Sequence, residues 1–246
     1  MSRFDFYALT HKGDKQDYNE DAIEAFELHD TLFLMVADGQ GSHLGGLAAS
    51  TLAIYEMKTF LEARFQPHMP LEPLLREAFY VAHRVIEGAR KGGGGRYQGL
   101  CTSLTMVALT AGKRITFAHV GNTKLFLMRE GQLIGMTEDQ TVAQQLFKDR
   151  KINKDEIKHH PERFTVTNAV GVFSAVTPDI RSGSVQQEDL LVLVSDGITE
   201  HLNENEMARL IAQGGNCKTA SEHLINGANE RGGYDNLSAV LSYVNF

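Results

Sequence analysis

Two apolar runs in this chain end in the same way. Leu32-Phe33-Leu34-Met35-Val36-Ala37 leads into Asp38-Gly39, and Leu190-Leu191-Val192-Leu193-Val194 leads through Ser195 into Asp196-Gly197. A third run, Leu237 to Val244, is preceded by Asp235-Asn236, and Asn19-Glu20-Asp21 lies near the start of the chain. Runs this short, bounded by Asp, Gly or Asn, predict buried strands rather than helices. A lone Asp-Gly is ordinarily a turn. Repeated at strand tips it means more, because the strands of one sheet can bring their ends into one cleft. Carboxylates gathered there repel one another unless a cation neutralises them. Hard oxygen donors without a His/Cys cluster point to Mg²⁺ or Mn²⁺ rather than zinc. A glycine after Asp38 leaves its own carbonyl accessible as a further donor.

The charge balance excludes another class. With 24 Lys+Arg against 31 Asp+Glu and a net charge of -7, the chain lacks the basic face of a nucleic-acid binder. Cys101 and Cys217 are too few for a disulfide framework or a four-thiolate zinc site. The N-terminus has no apolar signal core, and no apolar run approaches the ~18 residues of a membrane span. A cytoplasmic protein with no membrane partner is expected. The 246 residues, 42% of them hydrophobic, are compatible with one domain over 1–246.

The remaining periodicities fill in the frame. Strands are predicted at Ser103–Leu109, Ile115–Val120 and Leu125–Arg129, with a hairpin turning at Glu130-Gly131. Helical spacing runs from Leu47 to Phe65 and from Leu71 to Ala89, then over Glu204–Gln213 and Lys218–Asn229. Asn203 predicts an N-cap with Glu206 as its capping-box partner. Gly92-Gly93-Gly94-Gly95 predicts a flexible joint; no Lys-Ser/Thr pair follows it, so it is not a P-loop. Helices do not alternate strictly with strands, which favours an α+β layered domain with antiparallel sheets over a doubly wound one.

Eight short motifs then run in order along the chain: Gly13…Asn19-Glu20-Asp21-Ala22, Val36-Ala37-Asp38-Gly39-Gln40-Gly41-Ser42-His43, Cys101-Thr102-Ser103-Leu104, Ala118-His119-Val120-Gly121-Asn122-Thr123-Lys124, Met136-Thr137-Glu138-Asp139-Gln140, Asn168-Ala169-Val170-Gly171, Leu191-Val192-Leu193-Val194-Ser195-Asp196-Gly197 and Gly233-Tyr234-Asp235-Asn236-Leu237-Ser238. Through them the chain resembles the metal-dependent serine/threonine protein phosphatases of type 2C, in the compact form of bacterial members. The resemblance implies a four-layer α-β-β-α sandwich with two central antiparallel sheets and a two-metal centre at one edge. It implies hydrolysis of phosphoserine and phosphothreonine in proteins by a metal-activated water, opposing an intracellular kinase, by a monomer.

Carried over by position, the resemblance makes Asp38 the bridge between two Mn²⁺ or Mg²⁺ ions and gives the Gly39 carbonyl to one of them. Asp196 and Asp235 go to the other ion, and Glu20 and Asp21 hold metal-bound water directly or from behind. The chain departs from the family at Gln16, where an Arg usually grips the substrate phosphate; Lys15 beside it supplies charge without the bidentate fork. It departs again at Asn122, where bacterial relatives carry an Asp. A third metal, at Asn122 and Asp139, is therefore expected to be weak or missing. Gln140 stands where a His is common. His159-His160 before Pro161 reads as an exposed flap near the substrate groove, and His43 and His119 as structural. The alternative function is a regulatory binding module of the same fold with weak or no activity. A third reading is a phosphatase of small phosphoesters.

Overall fold

The structure is a computed structural model that describes residues 4–41, 45–92, 99–172 and 174–245. Ser42 and His43 of the second motif, and Gly93 to Gly95 of the glycine run, lie outside the described residues. Among the described residues, ten strands form two five-stranded sheets. The first has the order β2 (Asp21–Leu28), β3 (Thr31–Gln40), β4 (Cys101–Thr110), β5 (Arg114–Val120), β8 (Asp179–Ser184). The second has the order β1 (Asp5–His11), β10 (Leu237–Tyr243), β9 (Leu190–Val194), β6 (Lys124–Arg129), β7 (Gln132–Gly135). Every neighbouring pair is antiparallel.

The two faces of each interior strand explain the unbroken apolar runs. On β3, Phe33, Met35 and Ala37 pack with α1 (Gly45–Arg64) and α2 (Leu71–Gly92), through Ala53, Met57, Leu75 and Phe79. The alternate residues Leu32, Leu34 and Val36 face the other way and meet Leu191, Leu193 and Val240 of the second sheet. On β9 the remaining parity, Leu190, Val192 and Val194, packs against Met207 and Ile211 of α6 (Glu204–Gly214) and Leu224 of α7 (Cys217–Glu230). Side chains alternate across a strand, so a strand covered on both sides tends to read as a near-continuous apolar run, as β3 and β9 do. The result is the helix–sheet–sheet–helix sandwich that the resemblance implies.

The predicted turn and cap are present. Glu130 (φ 51) and Gly131 (φ 77) both adopt positive φ between β6 and β7, as a two-residue type I′ hairpin requires. Asn203 and Glu206 close a capping box on α6. Three further helices were not anticipated: α3 (Val142–Lys148), α4 (Lys154–Ile157) and α5 (Asp196–His201). Helix α4 lies just before the His159-His160 pair read as a flap, and α5 begins at a residue read as the tip of a strand.

Candidate metal centre

The register of the first sheet does the initial assembly. Asp21 lies opposite Asp38 across the β2–β3 pair, and Asp38 opposite Ser103 across β3–β4. Cross-strand partners share a face, and Asp38 has the parity of Leu32, Leu34 and Val36. Asp21, Asp38 and Ser103 thus face the second sheet at one edge of the sandwich. That sheet answers with Thr10 and Ser238, themselves cross-strand partners. The Ser238 hydroxyl donates to Asp21 Oδ2 at 2.7 Å and lies 2.7 Å from Thr10 Oγ1. Because Ser238 gives its proton to the carboxylate, Thr10 is its donor. Thr10 in turn accepts from Asn19 Nδ2 at 2.8 Å. Asn19 Oδ1 accepts the Asp21 amide at 3.2 Å and closes the circuit.

Asp196 enters from the first turn of α5. Its Oδ2 accepts from Asn122 Nδ2 at 2.6 Å, and Asn122 Oδ1 accepts from the Ser103 hydroxyl at 2.7 Å. The Asp196 and Asp38 carboxyls are within hydrogen-bonding reach of each other. Asp235 stands in the turn before β10, where its Oδ1 accepts the Asn236 amide at 2.8 Å. The Asn236 side chain fixes this turn to the opposite loop. Its Nδ2 donates to the carbonyls of Lys12 and Tyr18, and its Oδ1 accepts the Glu20 amide at 2.7 Å.

Gly39 is held by its amide on the Glu20 carbonyl at 3.1 Å. A Cβ on Gly39 would come within 2.0 Å of the Gly46 carbonyl oxygen. One on Gly46 would come within 2.6 Å of the Gly39 carbonyl oxygen and 2.7 Å of Glu20 Oε1. The close approach of β3 to the start of α1 therefore requires both glycines. The Gly46 and Leu47 amides lean on the Glu20 carboxylate and favour its charge, yet Oε1 is buried with no hydrogen-bond partner.

These carboxyls hold their protons unusually well. Burial, then the charges of Asp235 and Glu20, push Asp21 up to about 7 against the hydrogen bonds from Ser238 and Ser195. Burial raises Asp38 and Asp196 well above the usual range, and neighbouring carboxylates add to it. Asp235 and Glu20 are raised, again chiefly by burial. Among the described residues no three Asp, Glu, His or Cys side chains form a ready-made cage for an ion. Asp38 and Asp196 turn to each other, and Asp21 and Asp196 to neutral donors. The donor chemistry nevertheless fits hard divalent cations: desolvated carboxylates from four places in the chain, an unpartnered buried Glu20 oxygen, and no thiol or imidazole in the group. An ion among them would offset the mutual repulsion that raises Asp38 and Asp196.

The other predicted positions lie around this cluster. Lys15 is exposed, its amide on the Gly233 carbonyl at 3.0 Å. Gln16 directs its Nε2 to the Tyr234 carbonyl at 2.5 Å. Asp139 is paired with the Lys124 ammonium. Gln140 brackets Gly121: its amide donates to the Gly121 carbonyl at 2.7 Å and its Oε1 accepts the Gly121 amide at 3.1 Å. His119 is buried on the first sheet. Its Nε2 donates to the Glu138 carbonyl at 3.2 Å, leaving Nδ1 to accept from Thr105, and burial pushes it down to about 4. His159 and His160 follow α4 at the surface, with His160 Nδ1 accepting the Glu162 amide.

Sequence reasoning gave no role to the groups that hold the acids: Thr10 and Gly46, and Asn19, Ser103, Asn236 and Ser238, although these four stand in its motifs. The Asn that follows Asp235 at a strand start was a usable signal, since Asn side chains bond nearby backbone. The others are small residues without periodicity.

A family model described as protein phosphatase 2C matches residues 10–230. Protein phosphatase PhpP of Streptococcus pneumoniae is 26% identical over 239 residues, covering 96% of either chain. Serine/threonine phosphatase stp of Listeria welshimeri is 28% identical over 244 residues, covering 94% of this chain and 92% of its own. Among solved structures, the S. agalactiae serine/threonine phosphatase superposes with a TM-score of 0.91 at 28% identity, covering 98% of this chain and 100% of its own.

Proposed function

The chain belongs to the protein phosphatase 2C family, and from that premise we propose that it hydrolyses phosphoserine and phosphothreonine in proteins with divalent metal. One observation carries the reading: Asp21, Asp38, Asp196 and Asp235 are brought to one edge of the sandwich and desolvated there. Clustered acids with raised pKa values mark functional sites more often than structural ones. A binding module has no use for that repulsion.

Two Mn²⁺ or Mg²⁺ ions held by Asp38, the Gly39 carbonyl, Asp196 and Asp235 would supply an activated water and a counter-charge for the phosphoryl oxygens. The remaining work falls to the protein. Ser238 and Asn122 fix the orientation of Asp21 and Asp196 by donating to them. Glu20 Oε1, buried and unpartnered, accepts a hydrogen bond from the attacking water and aims it. Lys15, exposed beside the site, attracts the dianionic phosphate. Desolvation by the two sheets strengthens the contacts to Asp21 and Asp196.

The reading extends to one catalytic domain over 1–246, acting as a monomer in the cytoplasm on phosphorylated proteins and opposing a serine/threonine kinase. No described helix is long and apolar enough to cross a membrane. The experiment is phosphate release from a panel of phosphoserine and phosphothreonine peptides and from p-nitrophenyl phosphate, with Mn²⁺ or with EDTA. Metal-dependent turnover of the peptides supports the proposal. Turnover of p-nitrophenyl phosphate alone would favour small esters, and none at all the binding module.

A further inference from the structure

Asn122 is nearly inaccessible, with 2% of its surface exposed, and both ends of its amide are committed. Ser103 donates to Oδ1 at 2.7 Å, and Nδ2 donates to Asp196 Oδ2 at 2.6 Å. The orientation of the amide follows from these partners: the carboxylate can only accept, so the nitrogen faces it, and the oxygen receives the Ser103 proton. The Asn122 backbone amide also points at Ser103 Oγ, at 3.3 Å. Gly121 holds the turn against Ser103 so closely that a Cβ there would lie 2.1 Å from its hydroxyl oxygen. The side chain is therefore locked by its own backbone as well as by its partners.

We propose that Asn122 is a positioning residue that takes the place of a third cation: its amide N–H, not a metal ion, satisfies the Asp196 oxygen that faces position 122. The inference rests on the metal-dependent reading above. An aspartate at 122 would set two carboxylates against each other at hydrogen-bonding distance, an arrangement that calls for a cation or a proton between them. The amide supplies the positive end of a dipole there and needs neither. Asp139 offers no second half of such a site, because the Lys124 ammonium already neutralises it. The residues present thus do not fit a third ion, and the chain should work with two.

Calorimetric Mn²⁺ titration of the full chain tests this, with circular dichroism to check each variant's fold. Two ions are expected in the unmodified protein. Asn122→Asp should take up a third ion, with the stoichiometry rising from two to three. Asn122→Ala should still bind two, one of them about tenfold more weakly, as loss of an outer partner of a metal ligand usually costs. Asn122→Ser, which keeps a donor, should recover part of that loss. Three ions in the unmodified protein, or Asn122→Ala with both affinities unchanged, would overturn the inference and leave the two-metal reading standing. Failure of the unmodified protein to bind any ion would overturn that reading, and the inference with it. The unmodified stoichiometry decides even if the alanine variant fails to fold.

Discussion

The Ser238 hydroxyl of one sheet donates to the Asp21 carboxylate of the other at 2.7 Å. This bond crosses the seam of the sandwich at the edge where the acids gather, so it links the stability of the sheet pair to the geometry of the site. A buried hydrogen bond to a charged group is worth about 1.5–3 kcal/mol. Ser238→Ala should destabilise the metal-loaded protein by that amount, read from urea denaturation, since Thr10 also loses its acceptor. An unchanged midpoint would mean that the chain from Asn19 to Asp21 is not formed in solution.

The raised carboxyls predict an unusual pH dependence in EDTA. Asp21 is pushed up to about 7 from an ordinary 3.8, so the folded state binds its proton more tightly than the unfolded state does. Its contribution to stability is complete below about pH 3.8 and is lost as the pH rises toward 7. His119 works in the opposite sense. Its pKa is about 4 folded against 6.5, so its contribution is complete above pH 6.5 and is lost as the pH falls to 4. The two are separated by comparison with Asp21→Asn in the same buffers. The Tm of the unmodified protein should fall relative to the variant's as the pH rises from 4 to 7, and Mn²⁺ should cancel or reverse that trend. Parallel curves in EDTA would contradict the assignment.

Asp38→Ala should abolish turnover. In EDTA it should change stability by less than about 1 kcal/mol, because losing one of several mutually repelling carboxyls offsets the lost contacts. Residual activity above a hundredth of the unmodified rate would exclude a bridging role.

At the rim, Gln16→Arg should lower KM for a phosphopeptide roughly fivefold, equivalent to about 1 kcal/mol for an exposed charge pair, with kcat little changed. Lys15→Ala should raise KM by a similar factor. If neither variant moves KM or kcat, the phosphate is held elsewhere.

Gly46→Ala tests the close approach of β3 and α1. Its methyl would press on the Gly39 backbone carbonyl at 2.6 Å and on Glu20 Oε1 at 2.7 Å. Activity should fall at least tenfold, and the melting temperature should fall with it, because the Gly39 carbonyl is backbone and cannot yield without moving β3. Normal kcat/KM would show that the two oxygens can move without consequence.

The interior strands were legible because burial on two faces keeps them mostly apolar, although β4, β5 and β10 also bury Ser, Thr and His side chains. The strands that went unread, β1, β2 and β8, all lie at sheet edges. There Glu24 and Glu27 on β2, or Arg181 on β8, interrupt the apolar pattern. Helix α5 was hidden because Ser195-Asp196-Gly197 reads equally well as a turn. The acids themselves could be read from their place at strand tips. Their partners could not: Ser238 and Asp21 are 217 positions apart, and a lone serine or threonine carries no periodic signal. Asn122 was noticed only as a missing charge, whereas its donated hydrogen bond depends on an orientation that only the packed turn against Ser103 fixes.

The loop over residues 12–20 is fastened to residues 229–236 by the Asn236 side chain and by bonds from Asp14, Lys15 and Gln16 to Asn229, Gly233 and Tyr234. The site therefore has one fixed jaw. A bulky phosphopeptide cannot make room by pushing this rim aside, since that would drag Asp235 and Glu20 out of place together. Whatever room a substrate needs must therefore come from outside this rim, and variants there that enlarge the opening leave the acids in register.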